Sequence, residues 1–184
     1  MLYVVRITVV AGLLWMLRGA YAELSLPRGA GVLTWGVAVA AGAVVFVAWI
    51  NLNAGWMEIG VSAGYNPRGD AGIDWMMVAV RLAGAILVVP LMEELFWRSF
   101  LMRWIERHDF LAVEPARAGS RAFVISAVLF AFEHNLWLAG LVAGAVYNLL
   151  YMRSGTLWSP ILAHAVTNAL LGLWVIYTGN WSYW

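Results

Sequence analysis

Three short clusters in this 184-residue sequence carry groups able to do acid–base chemistry. Glu93 and Glu94 are adjacent and are followed by Arg98. Phe130 is followed by Glu133, His134 and Asn135, and His164 by Asn168. On a helix, Glu94 and Arg98 stand at i,i+4 with the acid N-terminal, the favourable order for a pair on one face. Glu93 is then about 100° around the helix, so it points elsewhere while Arg98 holds Glu94 as a brace. Phe130 and His134, and His164 and Asn168, repeat the same spacing. The simplest arrangement gathers Glu93, His134, His164 and Asn168 around one polar cavity. Glu93 would serve there as general base toward a water molecule that His134 hydrogen-bonds and orients. His164, neutral or protonated, and the Asn168 amide would donate to a developing oxyanion. Base, orienter and oxyanion hole are the parts needed to add water to a carbonyl.

Competing chemistries find fewer of their parts. The chain has no cysteine, which excludes disulfides, thiolate metal sites and a cysteine nucleophile. It also has no lysine, so all eleven positive charges are arginines and a Ser–Lys dyad is impossible. No G-x-S-x-G elbow is present, and only Ser99, next to Arg98, lies near the clusters, which argues against acyl-enzyme chemistry. Glu93, His134 and His164 would make a zinc set with an open position for water. H-E-x-x-H is absent, however, and Asn168 suits hydrogen-bond donation better than ligation. A metal-independent site is the favoured reading, with zinc as the alternative. Glu133 turns away from His134 and reads as structural or interfacial, and His108 as a solvated loop residue.

The elements that must position these groups are membrane helices. Hydrophobic residues make up 64% of the chain and charged residues 11%, where a soluble domain carries roughly a quarter. Mean hydropathy is +0.80, and twelve tryptophans and seven tyrosines suit two membrane–water interfaces. Apolar runs of spanning length fall at about 2–20, 31–52, 73–107, 121–138, 139–152 and 156–178. They predict an all-α, polytopic membrane bundle of about six transmembrane helices forming a single domain over 1–184. The first run has no small-residue cleavage site after it and reads as a helix rather than a signal peptide. The third is too long for one perpendicular span, so a bend at Pro90 or an interfacial course after Arg98 is expected. Gly140 and Gly144, in small-xxx-small spacing, predict close helix packing.

Arginine placement sets an orientation. Arg18 and Arg28 flank the first loop, Arg103, Arg107, Arg117 and Arg121 crowd the third, and Arg153 sits by the fifth. The second loop carries Glu58, Asp70 and Asp74 against Arg68 alone. Odd loops inside, even loops outside and both termini on the outer side follow. Arg6 and Arg81 lie within apolar runs, and snorkelling to an interface is the expectation for both. An ionisable group inside a span costs at least about 2.5 kcal/mol, so such groups face the bundle interior and mark function. Helical rise puts His134 roughly 20 Å and His164 roughly 12 Å from the cytoplasmic ends of their helices. The arginine count suggests water access from the cytoplasmic side.

Taken in order, Glu93-Glu94-x-x-x-Arg98, Phe130-x-x-x-His134 and His164-x-x-x-Asn168 resemble the three motifs of the CPBP family. These are the CAAX proteases and bacteriocin-processing enzymes, which include the eukaryotic prenyl-protein endopeptidases. The resemblance covers about 88–170, and "YMRSGTLWSPILAHAVTN" is especially similar to the last motif and its approach. It implies an integral-membrane endopeptidase whose cavity opens to the cytosol. On that likeness Glu93 is the catalytic base, His134 its partner on the water, His164 and Asn168 the oxyanion-binding pair, and Glu94 and Arg98 supporting residues. The wording "VVPLMEELFWRSFLMR" looks closest to bacterial, exosortase-associated members, which implies the inner membrane. CAAX cleavage does not carry over, and the expected substrate is a membrane-associated protein or peptide: a sorted surface protein, a signal-bearing precursor or a small peptide. Nucleic acid is not an expected partner. The rival readings are a non-catalytic scaffold or immunity protein that binds a peptide in the same cavity, and an ion-coupled transporter. The latter would need a pair of interrupted helices in two repeated halves, which the chain does not show.

Overall fold

A computed structural model of the chain describes residues 2–25, 31–60, 64–70 and 72–184. It contains six principal helices: α1 (Leu2–Met16), α2 (Val32–Asn51), α3 (Trp75–Glu106), α4 (Ser120–Phe132), α5 (Trp137–Ser154) and α6 (Trp158–Thr178). Among the described residues the only sheet is a hairpin pairing Arg68–Gly69 with Gly72–Ile73.

The distribution of polarity is inverted relative to a water-soluble fold. Val5, Val9 and Leu13 on α1, Val37, Val44 and Val47 on α2, and Val124, Leu129 and Phe132 on α4 are exposed, while Glu94, Arg98, Arg103, Asn148 and His164 are buried. Apolar side chains outside and ionisable ones inside are what a lipid solvent selects. α2, α3 and α6 are each long and apolar enough to cross a membrane. α1 and α4 are apolar but shorter. The 13 residues of α4 reach only about 20 Å at the helical rise, against roughly 30 Å of hydrocarbon.

The fourth apolar run ends sooner than its hydropathy suggests. The helix stops at Phe132, the chain turns through 133–136, and α5 begins at Trp137. His134 therefore stands in the α4–α5 turn and not within a helix. The turn is held from outside: the Asn135 carbonyl accepts the Ile59 N–H at 2.8 Å, and the Asn135 amide donates to Ile59 O at 3.1 Å. A periodicity reading cannot see this, because the partner lies in a distant loop.

α3 runs unbroken past Pro90, but with two wide, π-type turns, at Gly84–Val88 and Leu95–Met102. In the first, the Val89 N–H reaches back five residues to Gly84 O. Ala85 O would next need the N–H of residue 90, which proline lacks. The orphaned carbonyl is taken by Asn168 Nδ2 of α6, at 2.7 Å. So the proline predicted to disturb the third helix instead fastens it to the sixth.

The remaining packing follows from small residues. A Cβ at Gly42 would collide with the Ala163 carbonyl, which explains how closely α2 lies on α6. A Cβ at Gly144 would stand 3.1 Å from both Cα and O of Ala127, and one at Gly140 3.2 Å from Ala131 Cα, as small-xxx-small packing of α5 on α4 requires. Gly144→Ala is accordingly expected to cost about 1–3 kcal/mol through overpacking, read as a lower melting temperature in detergent. An unchanged melting temperature would show that the two helices part freely there.

α1 buries no residue and is held at the periphery. Its Tyr3 hydroxyl donates to Arg81 O at 3.2 Å, and the Arg81 guanidinium lies 4.5 Å from the ring centres of both Tyr3 and Tyr65. Arg81 is thus caged by aromatic faces, where snorkelling alone was expected. Arg6 is exposed, and Arg28 lies outside the described residues.

Candidate active site

Arg98 organises the interior. Its side chain is wholly buried and its three nitrogens diverge: Nη1 to Glu94 Oε1 at 3.1 Å, Nε to Asn148 Oδ1 at 3.1 Å, and Nη2 to Gly144 O at 3.3 Å. The Phe130 ring lies 4.5 Å from the guanidinium carbon. The absence of a side chain at Gly144 is what exposes its carbonyl to Arg98. Asn148 is fixed in turn, its amide donating to Phe123 O at 3.0 Å and Ser126 Oγ at 2.9 Å. One planar cation therefore ties α3 to α5, and through Asn148 to α4, which no lysine could do with the same geometry.

Glu94 has a second partner. Its Oε1 lies 2.8 Å from His164 Nδ1. A carboxylate only accepts, so Nδ1 carries the proton and Nε2 is left to face other groups. The His164 ring stacks on Tyr147, 5.1 Å between centres and 21° from parallel, and the Tyr147 hydroxyl donates to Thr167 at 2.8 Å. His134 is oriented in the same manner. Its Nδ1 donates to Phe130 O at 2.8 Å, Trp49 meets it edge-on at 5.2 Å, and its Nε2 is left over. Phe130 stands between the two imidazoles, 4.6 Å from His134 and 6.3 Å from His164.

Glu93 differs from its neighbour in the way the helical offset predicted. It is not drawn into the Arg98 network: both carboxylates keep a buried Oε2 with no partner, but only Glu94 is held through its Oε1. His164, Glu133, Glu94 and Arg98 are all within electrostatic reach of it. Glu133 accepts a hydrogen bond from Trp97 Nε1 at 3.0 Å, the structural part anticipated for it.

A cavity of about 460 Å³ adjoins the site, lined by Trp49, Asn53, Glu58, Glu133, His134 and Tyr183 among others. His134 reaches it, whereas Glu93, His164 and Asn168 are not in its lining. His164 is bound to Glu94, Asn168 to Ala85 O, and Phe130 links them to His134. The cavity lies against the second loop, the α4–α5 turn and the tail after α6, which is the end remote from the arginine-rich loops. Arginine-rich loops inside and a cavity open to the inside cannot both hold for this fold. Among the described residues, no three His, Cys, Asp or Glu side chains are grouped so as to hold a metal ion.

The motif reading missed Asn148, Ser126 and Tyr147. The signal for two of them was present, since "VYNLLY" puts a polar amide and a phenol in an otherwise apolar run on α5.

A helical bundle with lipid-type surfaces and a buried Glu–Arg–His network defines an integral membrane protein with a polar interior site. Residues 75–170, just over half of the chain, match the Rce1-like family of type II CAAX prenyl endopeptidases, and the chain belongs to that family. All three motifs fall inside the matched stretch. Comparison with curated proteins and with solved structures returns no match.

Proposed function

We propose that the chain is an intramembrane endopeptidase that hydrolyses a peptide bond of a membrane-delivered protein or peptide, with Glu93 activating the attacking water. The observation that carries this is the division of labour between adjacent carboxylates. Glu94 Oε1 is bound by both Arg98 and His164, while among the described residues no hydrogen bond or ion pair holds either oxygen of Glu93, which keeps a buried Oε2 beside His164. Such an oxygen is an acceptor for water.

Glu93 would take a proton from water as the oxygen adds to the carbonyl carbon, and would return it to the leaving nitrogen as the C–N bond breaks. His134 Nε2 suits the same water as acceptor. With Nδ1 carrying its proton toward Glu94, His164 donates from Nε2 only as imidazolium. Asn168 has one amide hydrogen beyond the one it gives Ala85 O. These two are the donors for the oxyanion. The finer likeness to exosortase-associated members points to a sorted or signal-bearing precursor as substrate, with no prenyl group assumed.

The test needs no guess at the substrate. In the native host, protein termini in membrane and secreted fractions are mapped by mass spectrometry for wild type and for Glu93→Gln at equal expression. Termini that vanish in the variant establish proteolysis and name its substrates. If none change while deletion of the gene has a phenotype, the peptide-binding scaffold is the correct reading. The hydrolysis proposed is also metal-free, so 1,10-phenanthroline or EDTA should leave those termini at wild-type levels. Loss on chelation with recovery on added zinc would overturn that part.

A further inference from the structure

The cavity at His134 and most of the positive charge lie at opposite ends of the bundle. Arg18, Arg103, Arg107, Arg117, Arg121 and Arg153 stand near the C-termini of α1, α3 and α5 and the N-terminus of α4. The cavity is lined from the other end, by Asn53 and Glu58 after α2, by Glu133 and His134 after α4, and by Asn180 and Tyr183 after α6. Loops rich in arginine stay in the cytoplasm, which puts the cavity on the extracytoplasmic face.

The arginine-rich end is also sealed. Glu23, on the turn after α1, is drawn between α3 and α5. Its carboxylate bonds the Ser99 hydroxyl, pairs with Arg103 at 2.7 Å and accepts from the Tyr151 hydroxyl at 2.6 Å. Around it Met102, Ala122, Tyr151, Leu157 and Ile161 form a buried apolar layer, in which Met102, Tyr151 and Leu157 have no exposed surface. Access from that end would require breaking a largely buried ion pair and parting a packed layer. Access from the other end requires neither, because the short α4 leaves a recess there.

We propose that the substrate reaches Glu93 from the extracytoplasmic face, with its water-side segment lying extended in this recess; the inference rests on the endopeptidase reading above. The recess also states a preference. Among the described residues, Glu58 and Glu133 are the only carboxylate side chains of its lining, which contains no arginine. Asn53, Asn135 and Asn180 add amides that match a peptide backbone. The segment it fits is a polypeptide with neutral or cationic side chains, and an acidic segment is repelled.

The chain has no cysteine, so single cysteines report position directly. Ala54→Cys and Ala116→Cys, in the second and third loops, are exposed to a membrane-impermeant maleimide on right-side-out spheroplasts of a bacterial host. Ala54→Cys should label before lysis and Ala116→Cys only after it. The reverse pattern would overturn the proposal. Ser182→Cys, in the recess, is then labelled in intact cells with a bulky impermeant maleimide. Termini that depend on Glu93 should be lost on labelling and retained in the same variant unlabelled. If they persist after complete labelling, the recess is not the route. Leu136→Cys, at a position that also lines the recess, replaces Ser182→Cys if the latter does not cleave before labelling. Failure of the endopeptidase reading itself shows separately, as the absence of any Glu93-dependent termini in unlabelled wild type.

Discussion

Arg98→Ala lowers the stability of the bundle by about 3–5 kcal/mol, the cost of removing one partner from a buried ion pair. Three acceptors lose their donor at once: the Glu94 carboxylate, the Asn148 side-chain carbonyl and Gly144 O. Glu94 is left buried with only His164 to hold its charge. The measurement is thermal unfolding in detergent, where a fall on the order of 10 °C is expected for a chain of this length. Arg98→Lys is the informative second variant. It restores the charge near Glu94 but cannot reach three diverging acceptors, so it should recover only part of the loss. A melting temperature unchanged in Arg98→Ala, with activity gone, would move Arg98 from the scaffold to the substrate.

Glu93→Gln should have the opposite signature. The amide is nearly isosteric and removes a buried carboxylate whose Oε2 has no donor, so the fold should be retained with no fall in melting temperature. What is lost is the base. Positioned proton transfer contributes about 10²–10⁴-fold, so cleavage should fall by at least that range. Wild-type-like turnover in Glu93→Gln would end the assignment. Glu94→Gln separates the two carboxylates: it should reduce stability and activity together, because Glu94 anchors both Arg98 and His164.

Much of this was legible in the sequence because it depends on local spacing. The i,i+4 step from Glu94 to Arg98 and the 100° offset of Glu93 are properties of one helix, and both stand in the fold. The Gly140–Gly144 seam was legible for the same reason. What escaped the sequence depends on partners brought from elsewhere. His134 left its helix because Asn135 bonds Ile59, 76 residues away. Asn168 was assigned to an oxyanion by its spacing from His164, yet its visible bond repairs a carbonyl stranded by Pro90. The inward fold of Glu23 over Arg103 and Tyr151 was hidden for the same reason. That glutamate sits in a loop where composition offers no reason to expect a buried contact.

The brevity of α4 has a consequence for the lipid. A bilayer flanked by about 20 Å of helix on one side of the bundle and by the full-length α2, α3 and α6 elsewhere meets a hydrophobic mismatch, which it relieves by thinning locally. Acyl chains near the α4–α5 turn must shorten or tilt, and headgroup water descends toward His134. A substrate helix passing that sector would lose its apolar surroundings before its own end. Its last turns would then gain nothing from staying helical, since exposed peptide groups find water where hydrocarbon would have forbidden it. Helical peptide bonds resist attack because their backbone is already engaged. For the endopeptidase proposed above, such a dent beside the site would unwind the substrate by the protein's outline, before any residue of the site touches it.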